Sequence, residues 1–414
     1  MSLAFFRDAP WLTRSRIRDY AIMLIVAYVV MILWLWIGHG TSDPLGRPIG
    51  TDFVSFWTVS WALHNSQVDT VYAPESLAAL ERAVVAGDSR VYAWLYPPIA
   101  LFIVYPLAFL PYLWSLIAWL SLGLAGYLMA LWRILPRGLT LVAGIAFPAV
   151  LVTIEHGQNA FLTTILFTSA LLLLVPQPVA AGILIGFLLF KPQLGLLIPF
   201  ALIAGGYWRA FIAAAATAIG LTIATLVCFG AQIWSAYGAV IPLARDVLDL
   251  GLVPHFKMQS IHSAVQLLGG SAALGDNLQI VAAIGGVVFV AWVWRQTLDQ
   301  SIKSAALIVA SLFATPFLLD YDLLLLAPAV AWMASLGLRR GFLPWERLVL
   351  AAVSIDPLVA RVIAQHADLP ATPIVMLAFI VLIGRRTLWH RRRIQPEQVL
   401  AAGDNATAVA SIQS

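Results

Sequence analysis

The chain has 414 residues, of which only 11% are charged, against roughly a quarter in soluble domains. With 61% hydrophobic residues, most of its surface must face hydrocarbon, so the sequence reads as a polytopic membrane protein and not as an ordinary soluble one. The net charge of +4 comes from arginines at span ends and not from one basic stripe interleaved with aromatics, which argues against a nucleic-acid partner. A single cysteine, Cys228, excludes a disulfide scaffold and a cysteine-ligated metal centre.

The first apolar run, Tyr20 to Gly38, follows Arg7, Arg14, Arg16 and Arg18. It lacks a small-residue cleavage site and reads as a first span with a cytoplasmic N-terminus. Further spans are predicted over 91–110, 112–132, 139–155, 158–175, 179–206, 210–230, 277–294, 304–319, 322–337, 347–364 and 370–384. The fold class expected is therefore all-α with about twelve transmembrane helices in one integral domain over 1–384. Lys191-Pro192 interrupts 179–206, which is long for one helix and short for two, and two re-entrant pieces there would invert the sidedness of 156–159. The arginines around 385–393 place the C-terminus on the cytoplasmic side, and 385–414 reads as a basic, disordered tail.

Two long polar connections, 39–90 and 231–276, fall outside the cytoplasm by this count, and sites concentrate on such loops. In the first, Phe53, Phe56, Trp57 and Trp61 follow Asp52 at helical spacing and predict a short interfacial amphipathic helix. Asp52 at its N-terminus has two compatible roles. It can cap the helix and favour its dipole, or it can act as a base held at the lipid–water boundary. The loop closes on Tyr96-Pro97-Pro98, where the prolines steer the chain back into the membrane.

Polar groups inside apolar runs are costly and therefore informative. Glu155-His156-Gly157-Gln158-Asn159 breaks two spans and reads either as a hydrated turn or as part of a site, and Lys191 at mid-run calls for a phosphate or carboxylate partner. Asp320-Tyr321-Asp322 reads as a turn between spans, with paired acids able to take a sugar or a metal, or simply exposed. Asp356 and Arg361 read as interhelical structural partners. The second long loop carries Arg245, Asp246, Asp249, His255, Lys257, Gln259 and His262, an unusual density for this chain that reads equally as a solvated loop or as a phosphate or sugar site. His255 and His262 match no recognised zinc spacing, so no metal site is expected.

Four segments together resemble glycosyltransferase family 87: Thr51 to Trp57; Tyr96-Pro97-Pro98 with Pro106 to Pro111; His156 to Asn159; and Ala181 to Pro192. Met258 to His262 and Thr315 to Asp322 extend the similarity over most of the chain. The resemblance implies an integral-membrane enzyme of the GT-C type, akin to the mannosyltransferases of mycobacterial glycolipid assembly. It implies a polyprenyl-phosphate-linked sugar donor, a lipid or glycan acceptor on the extracytoplasmic face, inversion at the anomeric carbon, and no cofactor.

The family's essential loop aspartate falls on Asp52. In mannosyltransferase members the segment matching 315–322 carries a histidine, where this chain has Tyr321 and Asp322, and the departure puts mannose as donor in question. The candidate site is Asp52 as base, with Lys191, Lys257, Arg245, His255, His262, Gln158, Asn159, Tyr96, Asp320, Tyr321 and Asp322 as substrate-binding groups. The expected location is the plasma membrane. The competing reading is a secondary transporter or flippase, since broken helices and intramembrane charges serve there too; against it, no inverted repeat is visible.

Overall fold

A computed structural model describes residues 3–38, 40–85 and 92–412, with side chains described to Arg392. His39 and residues 86–91, which bound the first long loop, lie outside the described residues. Among those described the chain is helical, with isolated bridges and no strand. This follows from the solvent: in hydrocarbon every backbone N–H and C=O must be satisfied internally.

Among the described residues seven helices are long and apolar enough to cross a membrane: Arg14–Leu35, Tyr112–Ile134, Trp208–Phe229, Ala272–Trp294, Asp320–Arg340, Glu346–Ala367 and Ala371–Arg392. Gly138–Ile145 and Pro148–His156, bent by 50°, make up to eight if they form one span. Shorter apolar helices cover Ala100–Phe109, Ala160–Leu173, Pro178–Phe190, Pro192–Gly205 and Gln300–Ala314. The expected twelve apolar segments are thus helical, but several are too short or broken to count as spans by length. The last helix is continuous to Ile412, through the tail expected to be disordered.

Two segments depart from their expected form. The run 91–110 does not form one long helix: Ala100–Val104 passes into a tight 3₁₀ turn, Tyr105–Phe109. It stays beside Phe53–His64, because Ser60 Oγ donates to the Tyr105 carbonyl at 2.7 Å and Trp57 Nε1 to the Leu110 carbonyl at 3.0 Å. The run 179–206 breaks at Lys191, where Pro192 and its missing N–H start a new helix.

The helix Phe53–His64 does not lie half-exposed at an interface. Phe53, Val54, Phe56, Val59, Ala62 and Leu63 are buried, and so are Ser55, Thr58 and Ser60 on its other faces. Surrounding chain replaces lipid as its environment, which makes it a rigid platform for the residue at its start.

Where neighbouring helices are both apolar, backbones approach through small residues. Gly182 and Gly186, one turn apart, place Pro178–Phe187 against Trp208–Phe229. A Cβ added at Gly182 would stand 2.4 Å from the Ala210 carbonyl oxygen, and one at Gly186 2.5 Å from Thr217 Cβ. Gly182→Leu is therefore expected to force the two helices apart and to destabilise the protein by about 1–3 kcal/mol or more, read as a lowered melting temperature in detergent, with Leu184→Ile as a neutral control.

Candidate active site

Asp52 stands immediately before Phe53–His64, yet its side chain makes no capping hydrogen bond. Its carboxylate turns to the polar break between two distant helices: Gln158 Nε2 donates to Asp52 Oδ2 at 2.8 Å, and the Asp52 backbone N–H donates to the His156 carbonyl at 3.0 Å. The simple capping role is thereby removed. Gly157 makes this approach possible. Its φ is +62°, and a Cβ there would stand 2.5 Å from Phe53 Cβ.

The orientation of the Gln158 amide follows from its neighbours. The Asn159 backbone N–H, which can only donate, points at Gln158 Oε1 at 3.1 Å, so the amide NH₂ must face Asp52. Tyr96 OH also lies 3.3 Å from Gln158 Oε1. Burial, with Asp322 nearby, pushes the Tyr96 hydroxyl pKa well above its ordinary value, so it remains a donor at any working pH. Tyr96, Gln158 and Asp52 form one chain of hydrogen bonds ending on the carboxylate, an arrangement that polarises along its length. Trp119 Nε1 donates to the Gly157 carbonyl at 3.2 Å and anchors the break from below. Beside it Phe56, Trp94 and Tyr96 stack edge to face over a small apolar cleft that also reaches Asn159.

Asp320, Tyr321 and Asp322 are buried, not exposed, in a 3₁₀ turn that opens the helix ending at Arg340. Each acid has its own cation. Lys191 Nζ lies 2.6 Å from Asp322 Oδ1, both side chains almost wholly buried, and 5.1 Å from the centre of the Tyr321 ring. The anion that Lys191 requires is this carboxylate. Arg361 Nη1 donates to Asp320 Oδ2 at 3.2 Å. Arg361 and Asp356, read from the sequence as interhelical structural partners, each bond to another element, since Asp356 Oδ2 accepts from the Thr372 hydroxyl at 2.8 Å.

The segment from Pro254 reaches the same place. Met258 bridges to Leu319, and the Gln259 N–H donates to the Leu318 carbonyl at 2.7 Å, which lays Lys257 beside the 320–322 turn. Lys257 is half-buried and makes no ion pair among the described residues. Burial, reinforced by the neighbouring Arg361, pulls its pKa below the ordinary lysine value, while Asp320 and Asp52 act in the opposite sense.

Of the residues singled out from sequence, Asp52, Tyr96, Gln158, Asn159, Lys191, Lys257, Asp320, Tyr321 and Asp322 come together here. Arg245, His255 and His262 do not: they form a second cluster with Asp249 and Asp276. Two residues named in the sequence but not placed in the candidate site also stand here. Arg361 is a lone cation within an apolar run, the kind that marks a site. His156 lies in the polar break, with its ring 6.4 Å from that of Tyr321 and its Nδ1 3.0 Å from the Val152 carbonyl. The segment 315–322 has no histidine of its own, but one stands against it from another element.

The family model described as glycosyltransferase family 87 matches residues 94–319, more than half of the chain. No curated protein and no solved structure matches it.

The buried Lys191–Asp322 pair carries a direct test. Lys191→Met alone strands a carboxylate in an apolar interior and is expected to cost about 3–5 kcal/mol, whereas Lys191→Met with Asp322→Leu removes both charges and is expected to recover most of that loss. Denaturant or thermal unfolding of the four species in detergent completes the cycle.

Proposed function

The chain belongs to glycosyltransferase family 87, a membrane glycosyltransferase by that family and by its long apolar helices, and from this premise we propose that it moves one hexose from a polyprenyl phosphate to a lipid or glycan hydroxyl. The observation that carries the reading is the state of Asp52, whose carboxylate is free of any capping bond and is held by Gln158 beside an unpaired Lys257. The pairing of a base with a free cation suits a donor that leaves as a phosphate.

In the proposed step Asp52 accepts the proton of the acceptor hydroxyl while that oxygen bonds to the anomeric carbon. The bond from the anomeric carbon to the phosphate oxygen breaks at the same time, inverting the carbon and releasing polyprenyl phosphate. The negative charge that builds on the leaving phosphate is met by Lys257 and by Arg361, whose side chain is partly exposed and only singly bonded to Asp320. Lys191, neutralised by Asp322, serves as a structural cation and positions Tyr321. Gln158, Asn159, Tyr96, Asp320 and His156 are the groups offered to sugar hydroxyls. Because His156 occupies the flank of Tyr321, a mannose-like donor is compatible with a 315–322 segment that lacks histidine.

Asp320 and Arg361 stand near the ends of Asp320–Arg340 and Glu346–Ala367 opposite to Arg339, Arg340 and Arg347. On the proposed reading those arginines, with the ones at 14–18 and 385–393, mark the cytoplasmic side, so that both termini are cytoplasmic and the reaction is extracytoplasmic, in the GT-C manner. The acceptor then arrives from water while the lipid chain of the donor remains in the bilayer.

Transfer of labelled sugar from synthetic polyprenyl-phosphate donors to a membrane lipid extract tests the reading. Asp52→Asn keeps the acceptor of the Gln158 bond and is expected to fold normally while losing about 10²–10⁴-fold in rate. A variant as active as wild type would reduce Asp52 to a structural role, and movement of substrate across vesicles with no new glycosidic bond would install the transport reading instead. A second expectation follows from the lowered pKa of Lys257. Only the charged form binds phosphate, so KM for the donor is expected to rise with pH earlier than an ordinary lysine would allow. Lys257→Arg is expected to abolish that alkaline rise, and a KM–pH profile unchanged by it would remove Lys257 from the phosphate site.

A further inference from the structure

The residues left over from the active site gather at the other end of the second long loop. Asp249 ends the helix Gln232–Asp249, His262 opens Ile261–Leu267, and Asp276 lies in the first turns of Ala272–Trp294. One donor atom from each of the three lies within 4.8 Å of the others. His262 is fully buried, with Nδ1 3.0 Å from Asp276 Oδ1 and Nε2 3.7 Å from Asp249 Oδ1.

Two features distinguish this cluster from an ordinary ionic network. Arg245 holds the outer oxygens of both acids, Oδ2 of Asp249 and Oδ2 of Asp276, and so turns both inner oxygens toward the imidazole. His262 Nε2 meets the Gln266 side-chain amide at 2.5 Å, but Nδ1, though 3.0 Å from Asp276 Oδ1, makes no hydrogen bond to it, and Asp249 Oδ1 has no hydrogen-bond partner either. Buried polar atoms are nearly always satisfied, and two unsatisfied ones in one cluster of ligand-bearing side chains ask for a ligand. The charges leave room for it, because two carboxylates face a single guanidinium.

We propose that Asp249, His262 and Asp276 bind a divalent cation of the zinc or manganese class. One imidazole with two carboxylates, completed by water, is a donor set for a borderline ion, harder than a thiolate site and softer than an all-oxygen one. A separation of 3.0 Å between two donor atoms suits neighbouring ligands at about 2.1 Å from a common ion. Arg245 acts behind the ligands, fixing the carboxylates as hydrogen-bonded outer partners do. His255 stands at the edge of this cluster, while Lys257, two residues on, stands at the active site. The ion therefore clamps three helices at the root of the short turn between them, and on the transferase reading it fixes the cation that meets the donor phosphate.

The test is the metal content of the full-length protein in detergent, purified without chelator, dialysed and measured by inductively coupled plasma mass spectrometry. Wild type is expected to retain about one equivalent of zinc or manganese, and Asp249→Asn and Asp276→Asn to lose more than about tenfold of it. Zn²⁺ returned to chelator-stripped wild type is expected to raise the melting temperature, with no such rise in either variant. Both variants are partly exposed and keep the neighbouring hydrogen bonds, and melting in chelator at the wild-type temperature verifies that they fold. Wild type that retains no ion and whose melting neither Zn²⁺ nor Mn²⁺ shifts would overturn the proposal and leave a closed Arg245–Asp–His–Asp network. Metal content and melting are read without any sugar transfer, so failure here is distinct from failure of the transferase reading.

Discussion

Lys191 and Asp322 are 131 residues apart in sequence and 2.6 Å apart in space, each almost wholly removed from water. An ammonium or a carboxylate alone in that environment would cost several kcal/mol, so each is tolerable only with the other in place. The pair therefore fixes the relation between the broken helix at 188–195 and the turn that opens at Asp320. Once these are joined, the other polar contacts follow from the same constraint. Arg361 reaches Asp320 from a third element, Met258 and Gln259 bind the backbone of 318–319 from a fourth, and Tyr321 is held under the Lys191 ammonium. Asp52 and the break at 156–159 complete the ring.

This accounts for the position of the base. A carboxylate at the start of a helix would ordinarily satisfy itself on its own backbone. Asp52 is denied that option, since its backbone is in a helical conformation and the Phe53 and Val54 N–H groups that follow it are already committed to the Gly50 and Thr51 carbonyls. Its oxygens are left for a side-chain donor on one side and for an incoming hydroxyl on the other. Gln158, with its orientation set by the Asn159 N–H and by Tyr96, supplies the first. The arrangement is pre-formed, and pre-formed dipoles do not have to reorganise during reaction.

Much of this was legible in the sequence because the costly residues are few. An apolar chain advertises its polar exceptions, and Asp52, the 156–159 break, Lys191, Lys257 and the 320–322 turn were all visible as such. Their pairings were not. Nothing periodic connects Lys191 to Asp322 or Asp52 to Gln158, and Arg361 was legible as an interhelical partner without its acid, Asp320, being named. The second long loop read either as a solvated loop or as a phosphate or sugar site. It divides at the 3₁₀ turn His255–Lys257, whose first residue faces His262 and whose last faces Asp320. Fewer segments than twelve qualify as spans by length where the backbone is broken locally: the 3₁₀ turn at 105–109, the proline after Lys191 and the 50° bend at 145–148 shorten helices without ending the apolar run. The burial of Phe53–His64 was hidden because aromatic spacing fits a protein interior as well as a membrane surface.

The central claim is that a sugar phosphate sits between Asp52 and Lys257. The most direct measurement is a cryo-electron microscopy structure with a non-hydrolysable polyprenyl-phosphate sugar bound. The account places the anomeric carbon within reach of the free oxygen of Asp52 and the phosphate against Lys257 and Arg361. Density for the phosphate at Arg245 instead, or a sugar remote from Asp52, would contradict it.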